Sequence, residues 1–146
     1  MAIMQLARQI SLASAPRALR PLASLQPIFL RGRSSLAGQT NVIEVTDQKH
    51  YEEEIGSATG LSVVDFTAKW CGPCRAVAPV YDALSVEHPQ VKFLKVDIDN
   101  EELQEVVGSA KVSAVPTFNF VKSGEILAQI QGADQAQLIA NISKFQ

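Results

Sequence analysis

Cys71 and Cys74 are the only cysteines in the chain, and they stand together as Cys71-Gly72-Pro73-Cys74. Thiolates attack disulfides, bind soft metals, and in pairs close a disulfide of their own. A bridge across so short a loop removes little freedom from the unfolded chain, so a purely structural staple explains the pair poorly. A tetrahedral zinc needs four ligands, whereas there is no second cysteine pair and the only histidines, His50 and His88, are far apart. Metal is therefore not expected, although Cys-x-x-Cys spacing alone is shared with zinc sites. Thiol–disulfide exchange is the chemistry these residues fit best.

The pair follows an apolar run, Leu61–Phe66 (LSVVDF), which reads as a central strand. It opens a helical pattern from about Cys71 to His88, with Val77, Val80, Tyr81 and Leu84 on the buried side and Pro79 expected to kink it. The sulfurs would thus lie where unpaired N–H groups and the helix dipole favour negative charge. Roughly 0.3–2 kcal/mol of such stabilisation raises the thiolate fraction several-fold near neutrality. Cys71, nearer the helix start and solvent, is expected to attack a substrate disulfide, and Cys74, deeper, to resolve the mixed disulfide. Pro73 restricts the turn, and Gly72 leaves room for another backbone.

Around this unit, extended and helical patterns alternate, which places the domain in the mixed α/β class. Asn41–Val45 reads as a short strand, followed by a helix capped by Thr46 or Asp47 and running to about Ala58, with Tyr51 and Ile55 on one side. Val91–Asp97 alternates as a strand, and Asp99 or Asn100 opens a helix to about Ser109. Thr117–Val121 and Ile126–Ile130 flank a Ser-Gly turn as an antiparallel hairpin. Asp134, three residues before Gln137, begins a last helix whose inward side is Leu138, Ile139 and Ile142.

The chain has 146 residues, 47% hydrophobic and 19% charged, enough for one ordinary domain plus an extension. No apolar run is long enough to cross a bilayer. Its net charge of −2 conceals two different materials. Residues 1–40 hold five arginines, several serines and no acid, while the remainder carries eight basic against fifteen acidic residues. Ile3, Leu6, Ala7 and Ile10 follow helical spacing opposite Gln5, Arg8 and Gln9. An Arg-rich, Ser-rich, acid-free start is the signature of an organellar transit peptide, and arginine favours the mitochondrial matrix as destination. We expect residues 1–38 to be that segment, removed near Arg31–Gly38, and residues 39–146 to be the working domain. The competing reading is a basic arm for nucleic acid or anionic lipid; apolar periodicity and the absence of lysine oppose it.

Val-Val-Asp-Phe-Thr-Ala-Lys-Trp-Cys-Gly-Pro-Cys (63–74) resembles the active-site segment of the thioredoxin family. Val96-Asp97-Ile98-Asp99, Val115-Pro116-Thr117, Gly124 and Gly132-Ala133-Asp134 fall at the family's spacing, so the likeness covers about residues 41–146. With the basic start, the whole is most like the animal-type mitochondrial members. The resemblance implies a thioredoxin fold, a central mixed sheet flanked by helices, following an unstructured targeting segment. It implies protein-disulfide reduction by a dithiol carrier with no bound cofactor. Electrons would come from NADPH through a flavin-dependent thioredoxin reductase. Peroxiredoxins and methionine sulfoxide reductases are implied as clients, and a monomer without nucleic-acid or membrane partners is expected.

The resemblance also implies roles for residues beyond the cysteines. Asp65, an acid in a central strand, should have a raised pKa and exchange a proton with Cys74. Lys95 on the neighbouring strand would hold Asp65 electrostatically. Pro116 would follow a cis bond and face the cysteines, leaving the Val115 backbone to pair with an extended substrate. Trp70, the lone tryptophan, would form an apolar contact surface with Gly72, Pro73, Val115 and Pro116, completed by Gly132 and Ala133. Gly124 fits a hairpin requirement better than a recognition role. Lys69 and Arg75 either add positive charge beside the thiols or form a solvated rim. Two other readings stay open: a disulfide oxidase or isomerase on the same fold, and a binding module gated by redox state.

Overall fold

The computed structural model describes residues 39–146. The segment read as a targeting sequence, residues 1–38, lies outside them. The elements in chain order are β1 (Val42–Glu44), α1 (Gln48–Ser57), β2 (Leu61–Thr67), α2 (Gly72–Glu87), β3 (Lys92–Asp97), α3 (Gln104–Ser109), β4 (Thr117–Lys122), β5 (Glu125–Gln131) and α4 (Gln135–Phe145). The strands form one mixed sheet in the order β1-β3-β2-β4-β5. β3 is parallel to both β1 and β2, whereas β4 runs antiparallel to β2 and β5. This is the fold the motif resemblance implies.

Every residue of β2 is buried, because helices cover both faces of the sheet. Alternation along the strand then decides which side chain meets which helix. Leu61 and Val63 pack with Phe93, Phe118, Phe120 and residues of α2 and α4. Val64 and Phe66 face the other way, toward Leu94, Val96, Tyr51, Ile55 and Val106. Asp65 shares the parity of Leu61 and Val63, so it points beneath α2 among apolar neighbours. The strand's period thus places a carboxyl under the cysteine helix.

Tyr81 fixes α2 to the sheet. Its hydroxyl reaches the carbonyl oxygens of Val63 at 2.8 Å and Leu94 at 2.9 Å, and its ring meets Phe93 edge-on at 5.2 Å. Burial drives the phenol pKa well above its ordinary value, so the group remains a donor. Tyr81→Phe is expected to lose about 1–2 kcal/mol of stability by leaving buried carbonyls without that donor. Urea unfolding should show a lower midpoint at unchanged slope; an unmoved midpoint would count against the anchor.

The end signals are realised closely. Asp47 caps α1 by accepting from the His50 N–H at 2.9 Å, and Asp134 caps α4 by accepting from Gln137 N–H at 3.0 Å. The hairpin turn places Ser123 and Gly124 at φ 54° and 81°, the paired left-handed conformation a two-residue turn needs. α2 continues through Pro79, whose ring removes the helical bond to the Arg75 carbonyl.

Two expectations need correction. The helix after Asn100 is not continuous: a 3₁₀ turn, Glu101–Leu103, precedes α3. Leu103 leaves helical geometry at φ −114°, ψ 5° with its side chain fully buried, so core packing overrides the regular helix. Ile139 is 46% exposed rather than inward-facing. The row of Leu138, Ile142 and Phe145 meets the sheet; Ile139, a single residue after Leu138, is rotated off that row by about 100°.

Candidate active site

The chain leaves β2 at Thr67 and turns through Ala68, Lys69 and Trp70 to Cys71, whose N–H donates to the Ala68 carbonyl. Cys71 is the N-cap of α2, and its Sγ accepts the Cys74 N–H at 3.1 Å. Gly72 and Pro73 fill the first two helical positions, where proline's missing N–H costs no hydrogen bond. The first turn of α2 contains no acid to oppose the helix's positive end. Cys71 and Cys74 are joined as a disulfide with Cα atoms 5.3 Å apart. A Cβ at Gly72 would meet nothing within 4 Å among the described residues, so they leave the space above this turn open to another chain.

The two sulfurs were expected to differ in exposure, yet in the disulfide form the residues are 4% and 3% exposed. They differ in direction instead. Cys71 Sγ lies 3.7 Å from the Val115 carbonyl oxygen, toward the loop before β4. Cys74 lines a cleft of about 820 Å³ together with Asp65, Lys95, Thr67, Ala78 and Glu44.

Asp65 is 3% exposed, and its Oδ1 has no hydrogen-bond partner among the described residues. Burial pushes its pKa up to about 7, assisted by the Asp82 charge and opposed by Lys95. Lys95 is the ladder neighbour of Asp65, as expected, but its Nζ is 3.2 Å from Glu44 Oε1 and pairs with that acid instead. Lys95 therefore acts on Asp65 through space, its charge favouring the carboxylate, with no hydrogen bond between the two. Glu44 joins β3 from 51 residues away, so only the β1–β3 register reveals it.

Trp70 is 65% exposed, and its Nε1–H donates to Asp99 Oδ2 at 2.9 Å. Asp99 was one of two candidate caps for the following helix; Asn100 takes that position and leaves Asp99 to orient the indole. The Val115–Pro116 bond is cis, as the resemblance implies. Gly132, at φ +92°, donates its N–H to the Pro116 carbonyl at 2.8 Å, bringing the end of β5 beside this loop. Trp70, Gly72, Pro73, Val115, Pro116 and Gly132 are therefore gathered around Cys71, with Ala133 exposed next to them. Arg75 Nη1 donates to the Lys69 carbonyl, and Lys69 Nζ stands 3.9 Å from Asp97 Oδ2 while almost fully exposed, so both cations lie on the rim. Among the described residues, no three His, Cys, Asp or Glu side chains are gathered as a metal centre requires, and no helix is long and apolar enough to cross a membrane.

The thioredoxin family model matches residues 41–144. Thioredoxin H3 of Arabidopsis thaliana is 42% identical over 112 residues, covering 75% of this chain and 93% of the relative. The thioredoxin of Callithrix jacchus is 38% identical, covering 71% of this chain and 99% of its own. Among solved structures, a thioredoxin h of Nicotiana alata superposes with TM-score 0.70 at 34% identity, covering 74% of this chain and 95% of that one. A chain from a structure of the thiol-resolving mechanism in yeast mitochondrial 1-Cys peroxiredoxin via glutathione/thioredoxin systems gives 0.67 at 28% identity, covering 73% of this chain and 100% of that one. A helix-capping cysteine pair, the sheet order beneath it and these likenesses agree: the chain belongs to the thioredoxin family, and it is a thiol–disulfide oxidoreductase that reduces protein disulfides through Cys71 and Cys74.

Proposed function

We propose that this chain is the thioredoxin of the mitochondrial matrix, recharged by a flavin- and NADPH-dependent thioredoxin reductase. The observation that carries the address is the charge split between an acid-free, arginine-bearing start and the acidic domain after it. The relatives named above include plant h-type and animal thioredoxins, which support the chemistry rather than the compartment. Peroxiredoxins and methionine sulfoxide reductases are the client classes; the yeast likeness, from work on a mitochondrial peroxiredoxin, supports the first. The protein acts as a monomer and holds no cofactor of its own.

In the reduced protein, Cys71 thiolate attacks one sulfur of a client disulfide. A Cys71–client bond forms, the client's own S–S bond breaks, and the departing client thiolate takes a proton from water. Cys74 then gives its proton to Asp65 carboxylate across the shared cleft and attacks Cys71 Sγ. The internal disulfide forms, the client's second thiolate leaves, and two electrons have passed to the client. The reductase returns two electrons and restores both thiols. A base whose pKa lies near the working pH suits Asp65 to this transfer, with Lys95 biasing its charge. Trp70, Gly72, Pro73, Val115, Pro116, Gly132 and Ala133 form the surface that receives the client segment.

Residues 1–38 fused to a fluorescent reporter test the address. The fusion is expected in mitochondria, with the processed full chain beginning near Gln39. A reporter left in the cytosol would overturn the compartment while leaving the disulfide chemistry intact.

A further inference from the structure

Three strands place three charged side chains in one row beneath α2. Glu44 of β1 is the ladder partner of Lys95 on β3, and Lys95 is the ladder partner of Asp65 on β2. The row shares the parity of Val42, Phe93 and Val63, which pack on the α2 side of the sheet. A single cation thus stands between two acids. Its ammonium pairs with Glu44 at 3.2 Å, while Asp65 Oδ1 is buried without a partner among the described residues. The Glu44 side chain is 78% exposed and that of Lys95 39%, so this pairing leaves the ammonium partly hydrated. Turning inward to Asp65 would strip more water from it.

We propose that Glu44 is a positioning residue for the exchange reaction: by holding the Lys95 ammonium toward solvent, it keeps that cation off Asp65 and sets the pH at which Asp65 accepts the Cys74 proton. The inference rests on the proton-handling role given to Asp65 above. Among the described residues, the groups facing Asp65 are few. From α2 come Tyr81, Asp82 and the disulfide-bonded Cys74; from β3, Lys95; from β4, the uncharged ladder partner Phe118. Lys69, Arg75, Asp97 and Asp99 line the same cleft. Asp82 opposes ionisation of Asp65 and Lys95 favours it, so where the Lys95 ammonium stands matters directly to Asp65. Glu44 itself sits two strands away, roughly 10 Å at ordinary strand spacing, where solvent screens its direct field on Asp65. Its effect therefore passes through Lys95.

The test follows the Asp65 carboxyl by ¹³C NMR titration in the oxidised full chain, for wild type, Glu44→Gln, Lys95→Met and the double variant. Glu44→Gln removes the anchor at an exposed site and should lower the Asp65 midpoint by about one pH unit, as an opposite charge brought closer does. Lys95→Met should raise it, and the double variant should titrate like Lys95→Met alone. An unmoved or raised midpoint in Glu44→Gln overturns the proposal, as does an equal fall on the Lys95→Met background. The pH profile of mixed-disulfide resolution, measured in the reduced Glu44→Gln protein, should shift in the same direction. A shifted carboxyl titration with an unmoved kinetic profile upholds the charge row and overturns the proton-handling role of Asp65.

Discussion

Cys71→Ser is expected to reduce insulin-disulfide turnover by at least about three orders of magnitude, because thiolate is the attacking species and the only other sulfur nucleophile is the inward-directed Cys74. The first exchange then has no nucleophile where clients arrive. Cys74→Ala should stop turnover for a different reason. Its Cys71 can still open a client disulfide, but nothing displaces the client afterwards, so a covalent adduct accumulates. Non-reducing electrophoresis should show that adduct with Cys74→Ala and not with Cys71→Ser, and dithiothreitol should release it. Adducts formed only by Cys71→Ser would reverse the assigned roles. The asymmetry rests on geometry: Cys71 caps the helix beneath an open Gly72 surface, whereas Cys74 looks into the cleft containing Asp65.

What could be read from the sequence followed the range of the interactions. Cys71, Gly72, Pro73 and Cys74 act within one helical turn, and Asp47 and Asp134 cap helices three residues away, so short patterns suffice to find them. The parity of LSVVDF is enough to bury Asp65 with Leu61 and Val63 once the run is a central strand. The family resemblance suffices to set Lys95 beside Asp65, but the destination of its ammonium depends on β1 joining the far edge of β3. No local pattern in Asn41–Val45 specifies that register, so Glu44 was invisible as a site residue. Asp99 escaped for a related reason. Its neighbour Asn100 is an equally good cap, and only the folded loop shows which of the two is free to bind Trp70 29 residues away. Ile139 looks inward by spacing yet stays exposed, because adjacent apolar residues near one helix face exceed the width of the row that α4 presents to the sheet.

Asp65→Asn should make the oxidised protein more stable at pH 8 while slowing its reaction. The Asp65 carboxyl has a pKa of about 7 when folded against an ordinary 3.8, so between those values the folded state holds the proton that the unfolded state has released. Stability from this group is fully present below about pH 4 and is lost as pH rises through 7. The gap corresponds to about 4 kcal/mol of stability lost by wild type across that interval. Asparagine cannot ionise and escapes that loss, although its amide enters a site where Asp65 Oδ1 finds no partner among the described residues, at a cost of about 1–3 kcal/mol at every pH. The stability difference between variant and wild type should therefore grow in the variant's favour by about 4 kcal/mol from pH 4 to pH 8, whatever the constant offset. Urea unfolding of both disulfide forms at pH 4, 6 and 8 measures it, and parallel stability curves would rule out a buried carboxyl that ionises near neutrality. The same variant should resolve the Cys71–client disulfide more slowly, toward the lower end of the roughly 10²–10⁴ that general-base assistance supplies, since an open cleft lets water replace part of the function. Stability gained and rate lost at one side chain would identify Asp65 as a group whose burial serves proton transfer rather than folding.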